Sequence, residues 1–175
     1  GFSRIESRVE RSSEFSRWNR KRKAPQTLTA NADLVVCVSS CDGPPFRPRF
    51  IDRAHVTCEI ERLPMLVVLN KSDLGTNDLI EERIDVFRSV GCEVIRCSAE
   101  TGEGCAELGE FLKNRRAVFC GQSGVGKTSV LNRLFPGVSR PVGSISPKHN
   151  RGRHTTRFGI LMANPGGGWV VDTPG

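Results

Sequence analysis

Short apolar blocks alternate along the chain with longer stretches in which apolar positions recur every three or four residues. The run 33–39, Asp33-Leu34-Val35-Val36-Cys37-Val38-Ser39, is dominated by β-branched residues, and 65–69, Met65-Leu66-Val67-Val68-Leu69, opens just after Pro64. Unbroken apolar runs of this length read as strands covered on both faces. Further strands are predicted at 93–97, 117–120, 158–162 and 169–171. Between them, Leu79, Ile80, Ile84, Phe87 and Val90 fall at helical spacing and stop before Gly91. Helices are likewise predicted at 50–61, 106–112 and 124–134, the last ending near Pro136. Strands alternating with helices predict an α/β, three-layer fold with a six-stranded, mostly parallel sheet. Such sheets bind ligands beyond the carboxyl ends of their strands, so the residues just after each strand carry the candidate chemistry.

Composition narrows the class. The chain has 175 residues, 37% of them hydrophobic and 26% charged, the balance of a globular domain rather than a disordered or fibrous one. No stretch approaches the roughly 20 apolar residues of a membrane helix, so no membrane partner is expected. The net charge of +7 is concentrated. Residues 1–23 hold eight basic and three acidic side chains, and residues 140–157 hold five basic and no acidic ones. Two such segments point to a polyanionic partner, because basic groups that neutralise phosphates release counterions. Seven cysteines with no C-x-x-C pair exclude zinc-ligand spacing and fit buried thiols in a reducing compartment. With Gly1 in first place and no signal-peptide core, a fragment is expected.

The strand ends carry four motifs. After the fourth strand stands Gly121-Gln122-Ser123-Gly124-Val125-Gly126-Lys127-Thr128, followed by Ser129. This is a complete phosphate-binding loop: its glycines let backbone N–H groups turn inward, Lys127 reaches the terminal phosphates and Thr128 offers a hydroxyl to Mg²⁺. The next helix aims its positive end at the same place. After the second strand stands Asn70-Lys71-Ser72-Asp73. The Asp73 carboxylate suits the paired N–H donors of guanine, which adenine lacks, while Asn70 braces the loop and Lys71 can lay its stem along the base. After the third strand, Ser98-Ala99-Glu100-Thr101-Gly102 offers small residues, with the Ala99 N–H a candidate donor to the base oxygen. After the last strand, Asp172-Thr173-Pro174-Gly175 places a carboxylate for the metal through water and the Gly175 N–H for the γ-phosphate. In the basic loop before it, Thr155 and Thr156 are both candidates to complete the metal shell, with Thr156 favoured as nearer the strand.

These are the parts of a GTP-binding switch protein in an unusual order: base reading precedes phosphate and metal binding. Cutting a ring of βα units at a different loop and joining the old ends preserves every contact. The motifs 69–74, 121–132, 152–156 and 172–175, with Asn31-Ala32-Asp33 and Ile51-Asp52-Arg53, resemble the RsgA/YjeQ circularly permuted GTPases over roughly residues 15–175. The resemblance implies a P-loop fold with a permuted GTPase domain at 24–175, and a basic tail at 1–23 left from an N-terminal OB-fold. The family's C-terminal zinc-binding domain, and hence zinc, is not expected in this fragment. It also implies hydrolysis of GTP to GDP with Mg²⁺, His154 as a water-positioning group, and late maturation of the small ribosomal subunit with contact to its rRNA. A monomer is expected, in the cytoplasm or in an organelle stroma or matrix. Two rival readings are a nucleotide-dependent ribosome-binding module without turnover and an RNA-binding protein whose nucleotide site is vestigial.

Overall fold

The computed structural model describes residues 6–19, 23–138, 145–146, 151–152 and 159–173. An antiparallel hairpin, β1 (Glu14–Asn19) and β2 (Ala24–Ala30), leads into a six-stranded sheet. The sheet is made of β3 (Leu34–Ser40), β4 (Met65–Asn70), β5 (Glu93–Arg96), β6 (Arg115–Gly121), β9 (Ile160–Ala163) and β10 (Gly168–Asp172). Two short paired segments, β7 (Ile145–Ser146) and β8 (Arg151–Gly152), lie outside it. The strand order is β5-β4-β3-β6-β10-β9, parallel throughout except for the edge strand β9. The helices are α1 (Pro48–Glu61), α2 (Asp78–Ser89), α3 (Cys105–Phe111) and α4 (Lys127–Leu134).

All six strands and four helices expected from the hydropathy pattern are present, with ends moved by a few residues. The largest move is at α4, expected from 124 and starting at Lys127. Gly124 and Gly126 have φ of +86° and +92°, outside the helical region, and build a loop instead. α1 starts with Pro48 at its first turn, where a missing N–H costs nothing, and ends on Arg62 in the left-handed region. The Asn77 side chain accepts the Ile80 N–H and fixes the start of α2.

Every residue of β3 and β4 is buried, which is why their sequences are apolar without alternation. One face of the sheet, through Val36, Val38, Val68 and Phe119, packs on Leu108 of α3 and Val130 and Leu131 of α4. The other face, through Val35, Cys37, Val67 and Val118, packs on Ile51, Ala54 and Cys58 of α1 and Phe87 of α2. The chain winds from β3 outward to β5, then returns to β6 on the far side of β3. That reversal between β3 and β6 opens the crevice in which doubly wound sheets hold ligands. At the opposite end of the same strand pair, Asp33 accepts two bonds from the Arg116 guanidinium (2.6 and 3.0 Å) and one from its backbone N–H. The guanidinium beside Asp33 holds its carboxyl below the ordinary carboxylate range.

All seven cysteines are buried and free. Burial pushes the thiols of Cys58 and Cys97 up to about 12, so they pack as small apolar groups with no thiolate character. No helix among the described residues is long and apolar enough to cross a membrane.

The hairpin was not legible in the sequence. The boundary expected at 23/24 falls at the start of β2, and β1 pairs with β2 across it from Glu14↔Ala30 to Asn19↔Ala24. Phe15, 4% exposed, joins the core beside Ile51 and Ala54, and the Asn31 N–H donates to Ser13. If this hairpin is integral to the domain, Phe15→Ala should cost about 3–5 kcal/mol of stability in urea denaturation. A loss near zero would make it a separate appendage.

Candidate nucleotide-binding site

The parallel registers set Ser40 beside Asn70, Val38 beside Gly121 and Phe119 beside Asp172. The ends of β3, β4, β6 and β10 therefore share one rim, and three of the four expected motifs begin on it. The fourth begins after β5, whose Arg96 pairs with Leu69.

The phosphate loop is built by close approach. At Gly121 a Cβ would lie 2.3 Å from the Val38 carbonyl oxygen, so only glycine lets β6 leave the sheet there. Lys127 is the first residue of α4 and only 8% exposed. Its Nζ donates to the carbonyls of Gly121 (2.7 Å) and Gln122 (3.0 Å), which folds the ammonium back over the loop. Burial lowers its pKa, and the Asp172 carboxylate pulls in the opposite direction. Gln122, Ser123, Thr128 and Ser129 are half-buried along the same turn, while Val125 is buried. Asp172 is fully buried at the end of β10. Thr173 follows it with its hydroxyl donating to the Phe119 carbonyl at 2.7 Å, which fixes the direction in which the chain leaves.

The base-reading side hangs on Asn70, 1% exposed. Its Nδ2 donates to the Val125 carbonyl in the phosphate loop (2.9 Å), and its Oδ1 accepts the Ala99 N–H (3.1 Å). One amide thus joins three of the segments that the sequence proposed separately. Gly126 must be glycine beside it, since a Cβ there would sit 2.3 Å from Asn70 Nδ2. Ala99, expected to offer its N–H to a base, gives it to Asn70. Ser98 is buried and builds the turn, accepting the Thr101 N–H on its hydroxyl (3.1 Å) and the Gly102 N–H on its carbonyl (2.8 Å). Arg133 of α4 donates to the Thr101 carbonyl at 3.2 Å, a second tie between phosphate helix and base loop.

Lys71 adopts a left-handed conformation, φ 64°, and starts a 3-10 turn, Ser72–Leu74, that carries Asp73 to the surface. Its ammonium donates to the Gly43 carbonyl. Burial lowers the Lys71 pKa, against the pull of Asp42 and Asp73. The Gly43 contact is the part of the site that sequence reasoning missed. The turn Asp42-Gly43-Pro44-Pro45 is visible in the sequence, but no motif marks it as a partner of a lysine 28 positions away. His154, Thr155, Thr156 and Gly175 lie outside the described residues.

The sequence matches the RsgA GTPase family over residues 8–175. It is 41% identical over 175 residues to the small ribosomal subunit biogenesis GTPase RsgA of Chlorobaculum parvum, covering 98% of this chain and 56% of that protein. The structure is similar to YjeQ from Thermotoga maritima, with a TM-score of 0.71 and 31% identity over 98% of this chain and 54% of that one. It is also similar to YloQ, a circularly permuted GTPase, with a TM-score of 0.61 and 28% identity over 95% of this chain and 50% of that one. The chain spans about half the length of the curated relatives it matches.

Asn70→Ala should lower stability by about 1–3 kcal/mol even without ligand, because it strands a buried carbonyl on one loop and an N–H on another. Urea unfolding of the ligand-free chain measures this; an unchanged midpoint would mean the two loops hold their places without the amide.

Proposed function

The chain belongs to the RsgA GTPase family, and from that membership we propose that it binds GTP and GDP and hydrolyses GTP to GDP and phosphate. The observation that carries this reading is the Asn70 side chain, hydrogen-bonded at once to the phosphate loop and to the loop after β5. A nucleotide laid across that bridge has its phosphates over residues 121–129 and its base over Asn70, Lys71, Asp73, Ser98 and Ala99. Asp73 is solvent-accessible at the rim, free to accept both donors of a guanine edge.

Gly124 and Gly126 take the positive φ that lets loop N–H groups turn inward toward a phosphate, and α4 adds its positive end. Lys127 lies on the Gly121 and Gln122 carbonyls and can transfer its donors to phosphate oxygens, a stronger charge-assisted pairing. The hydroxyl of Thr128 and the buried carboxylate of Asp172 are hard oxygen donors of the type Mg²⁺ takes, with Thr156 proposed as the third. When bound, the ion neutralises charge on the phosphate oxygens. Attack by an in-line water builds charge on those oxygens, which Lys127 and the loop N–H groups stabilise. His154 is proposed to position that water, and the Gly175 N–H to contact the γ-phosphate.

The relatives' name gives the partner we propose: the small ribosomal subunit, met through its RNA. The basic segments 1–23 and 140–157 support this as phosphate-neutralising surfaces, with residues 1–23 read as the remainder of an OB-fold. The chain is proposed to act as a monomer wherever ribosomes are assembled under reducing conditions.

Nucleotide competition on the purified chain tests the base reading: GTP and GDP should displace a fluorescent GDP analogue, and ATP should not. Asp73→Asn should erase that preference; equal displacement by ATP in the unsubstituted chain would refute guanine recognition. For turnover, His154→Ala should slow phosphate release in the presence of small ribosomal subunits at least tenfold with nucleotide affinity unchanged. Unaltered release removes His154 from the mechanism, and no release from the unsubstituted chain favours a binding module without turnover.

A further inference from the structure

We propose that the loop joining β3 to α1 is a positioning element for the base half of the site, with Ser40 and Gly43 setting the height of the Lys71 side chain beneath a bound guanine. The inference rests on the guanine reading of Asn70–Asp73 and adds residues from a loop that carries none of the four motifs.

Ser40 ends β3, directly beside Asn70 in the parallel register, and is fully buried. Its hydroxyl does not face the ligand rim. It donates to the Pro44 carbonyl at 2.8 Å and draws the loop into an arch. Within that arch the Gly43 N–H donates to Asp42 Oδ1 at 2.6 Å, and Gly43 takes φ +49°, which turns its carbonyl toward Lys71. The Lys71 ammonium donates to that carbonyl. One residue further back, the Cys41 N–H donates to the Asn70 carbonyl at 3.1 Å. The loop therefore grips the base-reading segment twice, at the backbone before Lys71 and at the tip of its side chain. A Cβ at Gly43 would lie 3.6 Å from Lys71 Nζ, an ordinary van der Waals distance, so it is the backbone carbonyl rather than steric crowding that holds the ammonium.

The consequence is preorganisation. A lysine stem that supports an aromatic base loses rotamer freedom on binding, and that loss is avoided when the tip is already anchored. Ser40 and Gly43 act through Lys71 and are positioning residues, so their effect must disappear when Lys71 cannot be anchored.

The test is a double-mutant cycle on the full chain, reading dissociation constants for GDP and ATP by displacement of a fluorescent GDP analogue. Ser40→Ala should weaken GDP about tenfold and narrow the GDP-over-ATP preference. In a Lys71→Met background the same substitution should change nothing further, and Ser40→Thr, which keeps the hydroxyl, should restore binding. The unfolding midpoint of each ligand-free variant is measured alongside. If Ser40→Ala lowers it, Asp42→Ala, which removes the acceptor of the Gly43 N–H at an exposed position of the loop, replaces it in the same cycle with the same coupling expected. Undiminished GDP affinity, or an equal loss with and without the Lys71 ammonium, overturns the inference while the guanine reading stands. An unsubstituted chain that binds ATP as well as GDP overturns both, and this is read before any variant is made.

Discussion

A single buried carboxamide holds the site in shape. Asn70 sends one hydrogen bond across 55 positions of sequence to the phosphate loop and receives another from 29 positions away. The two strands involved, β4 and β6, are separated by β3 and so lie about 10 Å apart at their axes. Nothing in the sheet's own hydrogen bonding fixes how loops on nonadjacent strands face each other. The amide does, and because it is sequestered from water its bonds carry the full penalty of being left unmade. Gly126 is explained by the same contact: the loop has no side chain there because Asn70 occupies the space.

Seen from that bridge, the order of the elements along the polypeptide is immaterial. Strands β4 and β5 come first and β6 and β10 later, yet the ends of all four reach one edge of one mostly parallel sheet. What brings these strand ends to one rim is the strand register, Ser40 with Asn70 and Val38 with Gly121, together with the reversal of winding between β3 and β6. Connections run over the surface and can be cut and rejoined without disturbing either feature.

The readability of this chain follows the range of the interactions. Strands β3, β4 and β6 are buried on both faces and announce themselves as apolar runs. The phosphate loop is legible because its conformation demands glycine at fixed intervals. The hairpin β1–β2 was opaque: its strands run Phe15-Ser16-Arg17-Trp18 and Ala24-Pro25-Gln26-Thr27, with Phe15 the one buried side chain and Trp18 63% exposed. Such a two-stranded ribbon, with most positions half-buried and neither face fully covered, has little pattern to display. Its bonding to α1 and the core is tertiary, as are the Gly43–Lys71 contact and the diversion of the Ala99 N–H to Asn70. Those depend on which loops meet, which local spacing does not record.

The Asp33–Arg116 clasp spans 83 positions and closes the middle of the sheet, where β3 must find β6. As the chain leaves a ribosome, β3, β4 and β5 emerge and can pair among themselves while one long side of β3 still lacks its neighbour. The unsatisfied edge persists until residue 121 is free of the exit tunnel, and closing so large a loop is entropically slow. The permuted order therefore makes β3, β4 and β5 an early assembly and the pairing of β6 with β3 a later step. A nascent chain short of β6 lacks both the inner neighbour of β3 and the loop to which Asn70 donates.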